Sequence, residues 1–97
     1  MPTYINLVNW TDQGIRNIKE APQRMDAFKK TVEVAGGKLI GFYFTMGKYD
    51  IVTIIDAPSD EALANIIIST GSKGSVRTET MKAITEDQFR NTVAKLQ

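Results

Sequence analysis

The apolar positions of this 97-residue chain change period several times, and each change marks an element. Thr3 to Asn9 alternates, with Ile5 and Leu7 on one side and Tyr4, Asn6 and Val8 on the other, which predicts a strand closed by Trp10. Thr11 or Asp12 can then cap a short helical turn carrying Ile15 and Ile18, because their side-chain oxygens accept the amide hydrogens a helix start leaves unpaired. Pro22 suits the first turn of a longer helix, in which Met25, Phe28, Val32 and Ala35 recur at steps of three and four residues. Gly36-Gly37 ends it. Alternation resumes from Lys38 to Met46, with Ile40, Phe42, Phe44 and Met46 opposite Leu39, Gly41, Tyr43 and Thr45. Asp50 to Asp56 is the expected antiparallel partner, since the short connection through Gly47, Lys48 and Tyr49 permits only a hairpin. Ser59 caps a second helix with Leu63, Ile66, Ile67 and Thr70 on its inner face, and Ile68 falls outside that face. Ser75 to Ile84 alternates as a fourth strand, and Thr85-Glu86-Asp87-Gln88 is a capping box for a last helix with Phe89, Val93 and Leu96 as its apolar stripe.

The order strand, helix, two strands, helix, strand, helix is the βαββαβ pattern of an α+β, ferredoxin-like sandwich: one antiparallel four-stranded sheet in a single domain over residues 1–97, plus a C-terminal helix. Two helices cover one face of such a sheet. The other face, four strands about 4.8 Å apart and roughly six residues long, measures about 400 Å² in plan. Tyr4, Val8, Leu39, Tyr43 and Thr53, with Arg77, Glu79 and Met81, are expected on that uncovered face. A monomer rarely leaves so large an apolar patch in water, so a homodimer, or a larger homo-oligomer, formed by packing these faces is expected.

Composition narrows the chemistry. The chain has no cysteine and no histidine, which removes disulfides, thiolate nucleophiles, the commonest metal ligands and the commonest base near neutral pH. Carboxylates, Tyr, Lys, Ser and Thr remain, and neither a metal nor a cofactor is expected. Net charge is +1 with acidic and basic residues interspersed, without the basic stripe of a nucleic-acid binder. No segment approaches the roughly 18 apolar residues of a membrane span, and MPTYINLVNW lacks the features of a signal peptide, so a soluble cytoplasmic protein without membrane association is expected.

Gly47, Tyr49 and Asp50, with the segments Trp10-Thr11-Asp12-Gln13-Gly14-Ile15, Asp56-Ala57-Pro58-Ser59-Asp60 and Val76-Arg77-Thr78-Glu79-Thr80, resemble the GYD-domain proteins over most of the chain up to about Thr85. The resemblance implies a ferredoxin-like fold and the dimeric α/β-barrel assembly of related domains, some of which bind small molecules and some of which catalyse oxidations without a cofactor. It implies no settled activity. The missing histidine separates this chain from relatives that use an imidazole base.

Two readings of the central hairpin follow. In one, Gly47 makes the turn, Tyr49 packs its ring beside it and Asp50 accepts backbone amide hydrogens. In the other, Tyr49 donates a hydrogen bond and Asp50 takes a proton at the mouth of a pocket between subunits. Arg77 and Glu79 share a face, where they form an ion pair or hold an anionic ligand, and Trp10 with Arg16 and Lys19 either packs as an ordinary element end or rims a ligand site. The ligand-binding candidates are therefore Tyr43, Tyr49, Asp50, Arg77, Glu79 and Trp10, with no catalytic residue assigned. Gly71-Ser72-Lys73-Gly74-Ser75 follows a helix instead of preceding one, so it reads as a helix stop and not a phosphate loop. Asp50, Asp56, Asp60 and Glu61 fit no calcium-loop spacing. Three functions remain: a dimeric small-ligand-binding or regulatory domain; a cofactor-independent oxidoreductase acting on an aromatic or quinone-like compound through Asp50 or Glu79, with Tyr43 or Tyr49 as donor; and a structural oligomerisation module.

Overall fold

The computed structural model describes residues 1–97. Its strands are β1 (Thr3–Trp10), β2 (Lys38–Phe44), β3 (Ile51–Asp56) and β4 (Val76–Ala83); its helices are α1 (Asp12–Arg16), α2 (Ala21–Val34), α3 (Asp60–Gly71) and α4 (Glu86–Ala94), with a 3-10 turn at Ile18–Glu20. The strands form one antiparallel sheet in the order β2-β3-β1-β4, the arrangement expected of a ferredoxin-like sandwich.

The caps read from sequence are in place. Thr11, Ser59 and Thr85 each accept a backbone amide hydrogen at a helix start, Pro22 lies in the first turn of α2, and Thr85 and Gln88 form the reciprocal capping box. Gly36 takes a φ of 81° after α2, a conformation that a Cβ would strain.

Register assigns each strand residue to a face, and here one expectation is corrected. Cross-strand partners line up as the rows Leu39·Ile55·Tyr4·Lys82, Phe42·Thr53·Asn6·Thr80 and Phe44·Ile51·Val8·Thr78 on the side of α2 and α3. Tyr4, Val8, Leu39 and Thr53 therefore face the helices and not the uncovered side. The reverse side carries Gly41·Ile54·Ile5·Met81 and Tyr43·Val52·Leu7·Glu79, with Arg77 beyond them. Its middle is aliphatic, as expected, but the aliphatics are Ile5, Leu7, Val52 and Ile54. Strand β2 contributes to the difference through a β-bulge between Leu39 and Gly41, which brings Leu39 to the same face as Phe42.

The compact core occupies one end of the sandwich. Tyr4, Ile55, Ala57, Phe28, Val32, Leu63 and Ile66 are buried together there, with Leu39, Phe42 and Ile67 packed against them. Each buried aliphatic contributes about 1.5–3 kcal/mol, enough to dock α2 and α3 on this end of the sheet. Helix α4 adds nothing to the core: it has no buried residue, and Phe89, Val93 and Leu96 are exposed. The molecule is accordingly extended, with a radius of gyration of 14.8 Å against about 12.5 Å for a compact domain of this length. No helix is long and apolar enough to cross a membrane.

Candidate functional site

At the far end of the sandwich from the core, the helix-facing layer changes character. The row Phe42·Thr53·Asn6·Thr80 places three polar side chains where a two-layer fold ordinarily carries aliphatics. Thr53 and Asn6 are each 1% exposed. Asn6 accepts a hydrogen bond from Thr80 Oγ1 at 2.8 Å through Oδ1, whereas Thr53 Oγ1 has no partner. Above this row lies a cavity of about 750 Å³, bounded by Gln23, Arg24 and Ala27 of α2 on one side and by Thr70 and Lys73 on the other. Its apolar wall is aromatic at two points: Phe28 meets Phe42 edge-on at 6.4 Å, and Trp10 stacks on Phe44 at 5.9 Å.

The segment Trp10 to Arg24 holds the outer wall. Thr11 donates its amide hydrogen to Ser75 O at 3.0 Å and its hydroxyl hydrogen to Gly74 O at 2.6 Å, and the same hydroxyl oxygen accepts from Gly14 N at 3.1 Å. Gly14 packs so tightly on Ser75 that a Cβ would lie 2.0 Å from the Ser75 carbonyl oxygen. The guanidinium of Arg24 then donates to Asn17 O at 2.9 Å and Gly14 O at 3.1 Å, joining α2 to α1. Residues 71–75 thus serve as the fixed end of a latch that closes the wall on the start of β4, and the Thr-Asp-Gln-Gly sequence is the other half of it.

The residues singled out from sequence fall into two groups. On the uncovered face, Tyr49 donates its phenolic hydrogen to Glu79 Oε2 at 2.5 Å, Tyr43 lies in the same cross-strand row as Glu79 but on the opposite edge strand, and Arg77 stands two residues along. Arg77 and Glu79 do not form the expected ion pair, and Glu79 accepts from Tyr49 instead. The second group joins the hairpin to the cavity. Asp50 Oδ2 accepts the amide hydrogen of Trp10 at 3.0 Å, Asp50 N donates to Val8 O at 2.9 Å, and the Trp10 ring then lines the cavity. Gly47 supplies the turn, with a φ of 145°.

Acidity is displaced at three groups. The Tyr4 hydroxyl donates to the Asp60 carboxylate, and that hydrogen bond, with burial and the carboxylate charge, pushes the phenol up to about 12. Tyr49 is raised by its hydrogen bond to Glu79, with burial and the Glu79 charge adding to it. Asp60 is held low by the hydrogen bonds from Tyr4 and Lys82 and by the Lys82 charge, burial opposing. All three move away from neutrality, so both phenols remain protonated donors near pH 7, suited to fixing a geometry and not to exchanging protons. No group of three or more Asp or Glu side chains is placed to hold a metal ion.

Sequence reasoning missed Thr53 and Asn6 as members of this site. Both were visible as polar residues in otherwise apolar strands, but only the register puts them side by side under α2.

The family model of the GYD domain matches residues 4–93. The chain belongs to the GYD domain family. A glutamine synthetase and cystathionine beta-lyase binding protein from Thermus thermophilus is 32% identical to this GYD domain over 85 residues, 87% of this chain and 90% of the relative. Among solved structures, the feast or famine regulatory protein of M. tuberculosis, complexed with L-methionine, superposes with a TM-score of 0.66 at 15% identity over 88% of this chain. The GYD domain spans about half of that regulator, 51% of its length. TTHA0845, also from Thermus thermophilus, superposes with a TM-score of 0.56 at 21% identity, covering 88% of this chain and 95% of that one. At such identities the structural likeness concerns the fold, which the GYD domain shares with these proteins.

Proposed function

We propose that this GYD domain is a homodimeric regulatory domain that binds a small ligand and has no catalytic centre of its own. The observation that carries the reading is the uncovered sheet face, whose middle rows Ile54·Ile5·Met81 and Val52·Leu7 are apolar and lie opposite the helices. Two such faces of about 400 Å² in plan meet over about 800 Å², which the relief of their side chains raises toward the lower end of the roughly 1,200–2,000 Å² that specific interfaces bury. Tyr49 hydrogen-bonded to Glu79 at one end of the face supplies a polar rim. The shared fold with a regulator complexed with an amino acid supports the regulatory and ligand-binding half of the proposal.

Sedimentation velocity of the full chain at micromolar concentration tests it. The expected result is a species of two chains, or a multiple of two, that Ile54→Asp converts to single chains with unchanged far-UV circular dichroism. A wild-type chain that sediments alone at these concentrations refutes the assembly.

A second reading, docking to an enzyme partner, draws on the Thermus relative and on the exposed apolar stripe of α4. Co-sedimentation with purified glutamine synthetase, lost on substituting Phe89 and Val93 by Ser, is the outcome that reading expects.

A further inference from the structure

We infer that α4 is a clasp between copies of this chain: the apolar stripe of each α4 closes over the exposed hairpin end of a second copy, reciprocally, at the rim of the paired sheet faces. The inference rests on the self-association reading above and adds a second pair of surfaces to it. An amphipathic helix ordinarily lays its apolar stripe on its own sheet. Helix α4 does not. Its Gln88, Asn91, Thr92 and Lys95 line a cleft with Pro2 and Lys82, whereas Phe89, Val93 and Leu96, about a third of a turn round the helix, stay 60%, 46% and 72% exposed. Steps of four and then three residues set these three side chains in one row, and no residue of α4 is buried.

A second apolar set lies at the other end of the molecule. Tyr43 on the uncovered face and Met46 in the following turn are 57% and 92% exposed. Ala83, beyond which α4 departs, and Thr78, in the row of Phe44, are roughly 17 Å apart at about 3.4 Å per residue, so one chain does not bring its stripe to its own hairpin. A second copy does. A twofold axis lying between the paired sheets and across their strands reverses the strand direction, which sets the α4 end of each copy against the hairpin end of the other. Charge agrees with that pairing: Lys48 of the hairpin forms no ion pair, and Glu86 and Asp87 open α4. Area favours a second copy over an unrelated partner. The sheet faces alone meet over about 800 Å², short of the roughly 1,200–2,000 Å² that specific interfaces bury. Each stripe adds on the order of 300 Å², at roughly 150–200 Å² for a fully exposed side chain of this size, and two stripes carry the total into that range.

The chain has no cysteine, so thiols can be placed singly or in pairs. A chain carrying both Met46→Cys and Val93→Cys, treated with a short bismaleimide, is expected to give linked pairs of chains at least about tenfold faster than one carrying Val93→Cys with Glu33→Cys, at an exposed position on α2, because a built contact raises the effective concentration of the two thiols. Separately, Phe89→Ser combined with Val93→Ser should raise the dissociation constant of the pair at least about tenfold in sedimentation velocity, with unchanged far-UV circular dichroism, since neither side chain is buried within the chain. The inference is overturned by linking no faster than in the Glu33→Cys control, by equally fast linking of Val93→Cys alone, which would mean that the helix meets its own counterpart, or by an unchanged dissociation constant in the double serine variant. It is also overturned if maleimide labels Val93→Cys as fast in the assembled protein as in the Ile54→Asp single chain and slows only when glutamine synthetase is added, the mark of an enzyme partner on the stripe. Wild-type chains that pair, separate on Ile54→Asp and fail the cross-link keep the sheet-face assembly and lose the clasp; wild-type chains that sediment alone lose both.

Discussion

Replacing Thr53 by Val should make the unliganded domain more stable. Thr53 sits on the central strand β3 between Phe42 and Asn6, is 1% exposed, and its hydroxyl has no hydrogen-bond partner. A buried hydroxyl without a partner costs about 1–3 kcal/mol relative to a shape-matched apolar group. Valine has the same branching, favours strands equally well and adds no atom that must be accommodated. A gain of about 1 kcal/mol, the low end of that range, is expected, which for a domain of this length raises Tm by about 4–8 °C. Urea unfolding at one fixed protein concentration measures it, since self-association would otherwise contribute to the midpoint. The midpoint should rise with an unchanged slope. A loss of about 1 kcal/mol or more would refute the reasoning, because it would mean that the hydroxyl is paired in solution and that the polar row is a closed network.

Other outcomes follow from the same geometry. Gly14→Ala drives a Cβ toward the Ser75 carbonyl oxygen and should cost about 1–3 kcal/mol by overpacking, seen as a lower urea midpoint and faster amide exchange in residues 71–75. Asp50→Ala removes the acceptor of the Trp10 amide and should cost about 1–2 kcal/mol, whereas Asp50→Asn, which retains an oxygen, should recover most of it; a variant with wild-type stability and impaired ligand binding would point to a functional carboxylate instead. The phenol of Tyr4 is raised from 10.0 to about 12 on folding, so its contribution is complete below pH 10 and is lost as pH rises from there toward 12; Tyr4→Phe should flatten the wild-type decline in urea midpoint over that interval. Asp60 is lowered from 3.8, so its contribution is present above that pH and fades as pH falls below it, which Asp60→Asn should remove.

The element order and the helix ends were legible because their signals are local. Ser59, Thr85 and Pro22 act within one turn of their own positions, and glycine at 36 and 47 answers a backbone requirement that no neighbour can supply. The sheet faces were not legible in the same way. Both sides of β1 alternate acceptably: Ile5 and Leu7 are the more aliphatic pair, yet it is Tyr4, Asn6 and Val8 that lie under the helices. Composition misleads here because the uncovered side is as apolar as the side presented to α2, while the helix-facing side is polar at Asn6 and Thr53. The bulge at Ile40 has no residue signature of its own, and it alone decides that Leu39 and Phe42 share a face. The hairpin residues were the reverse case. Tyr49 and Asp50 stand out in the sequence, but whether they meet one another or separate partners depends on contacts 30 and 40 residues away, with Glu79 and Trp10.

The polar row divides the helix-facing layer into a packed half and a hollow half that share β1 and β3. Because the same two strands run through both, unfolding cannot empty one half without dismantling the other, and anything lodged in the hollow adds its binding free energy to the whole domain: about 2.7 kcal/mol at a hundredfold excess over its dissociation constant. The loaded molecule would then outlast the vacant one under proteolytic attack, so that abundance in a cell would register the supply of the guest without any change of shape.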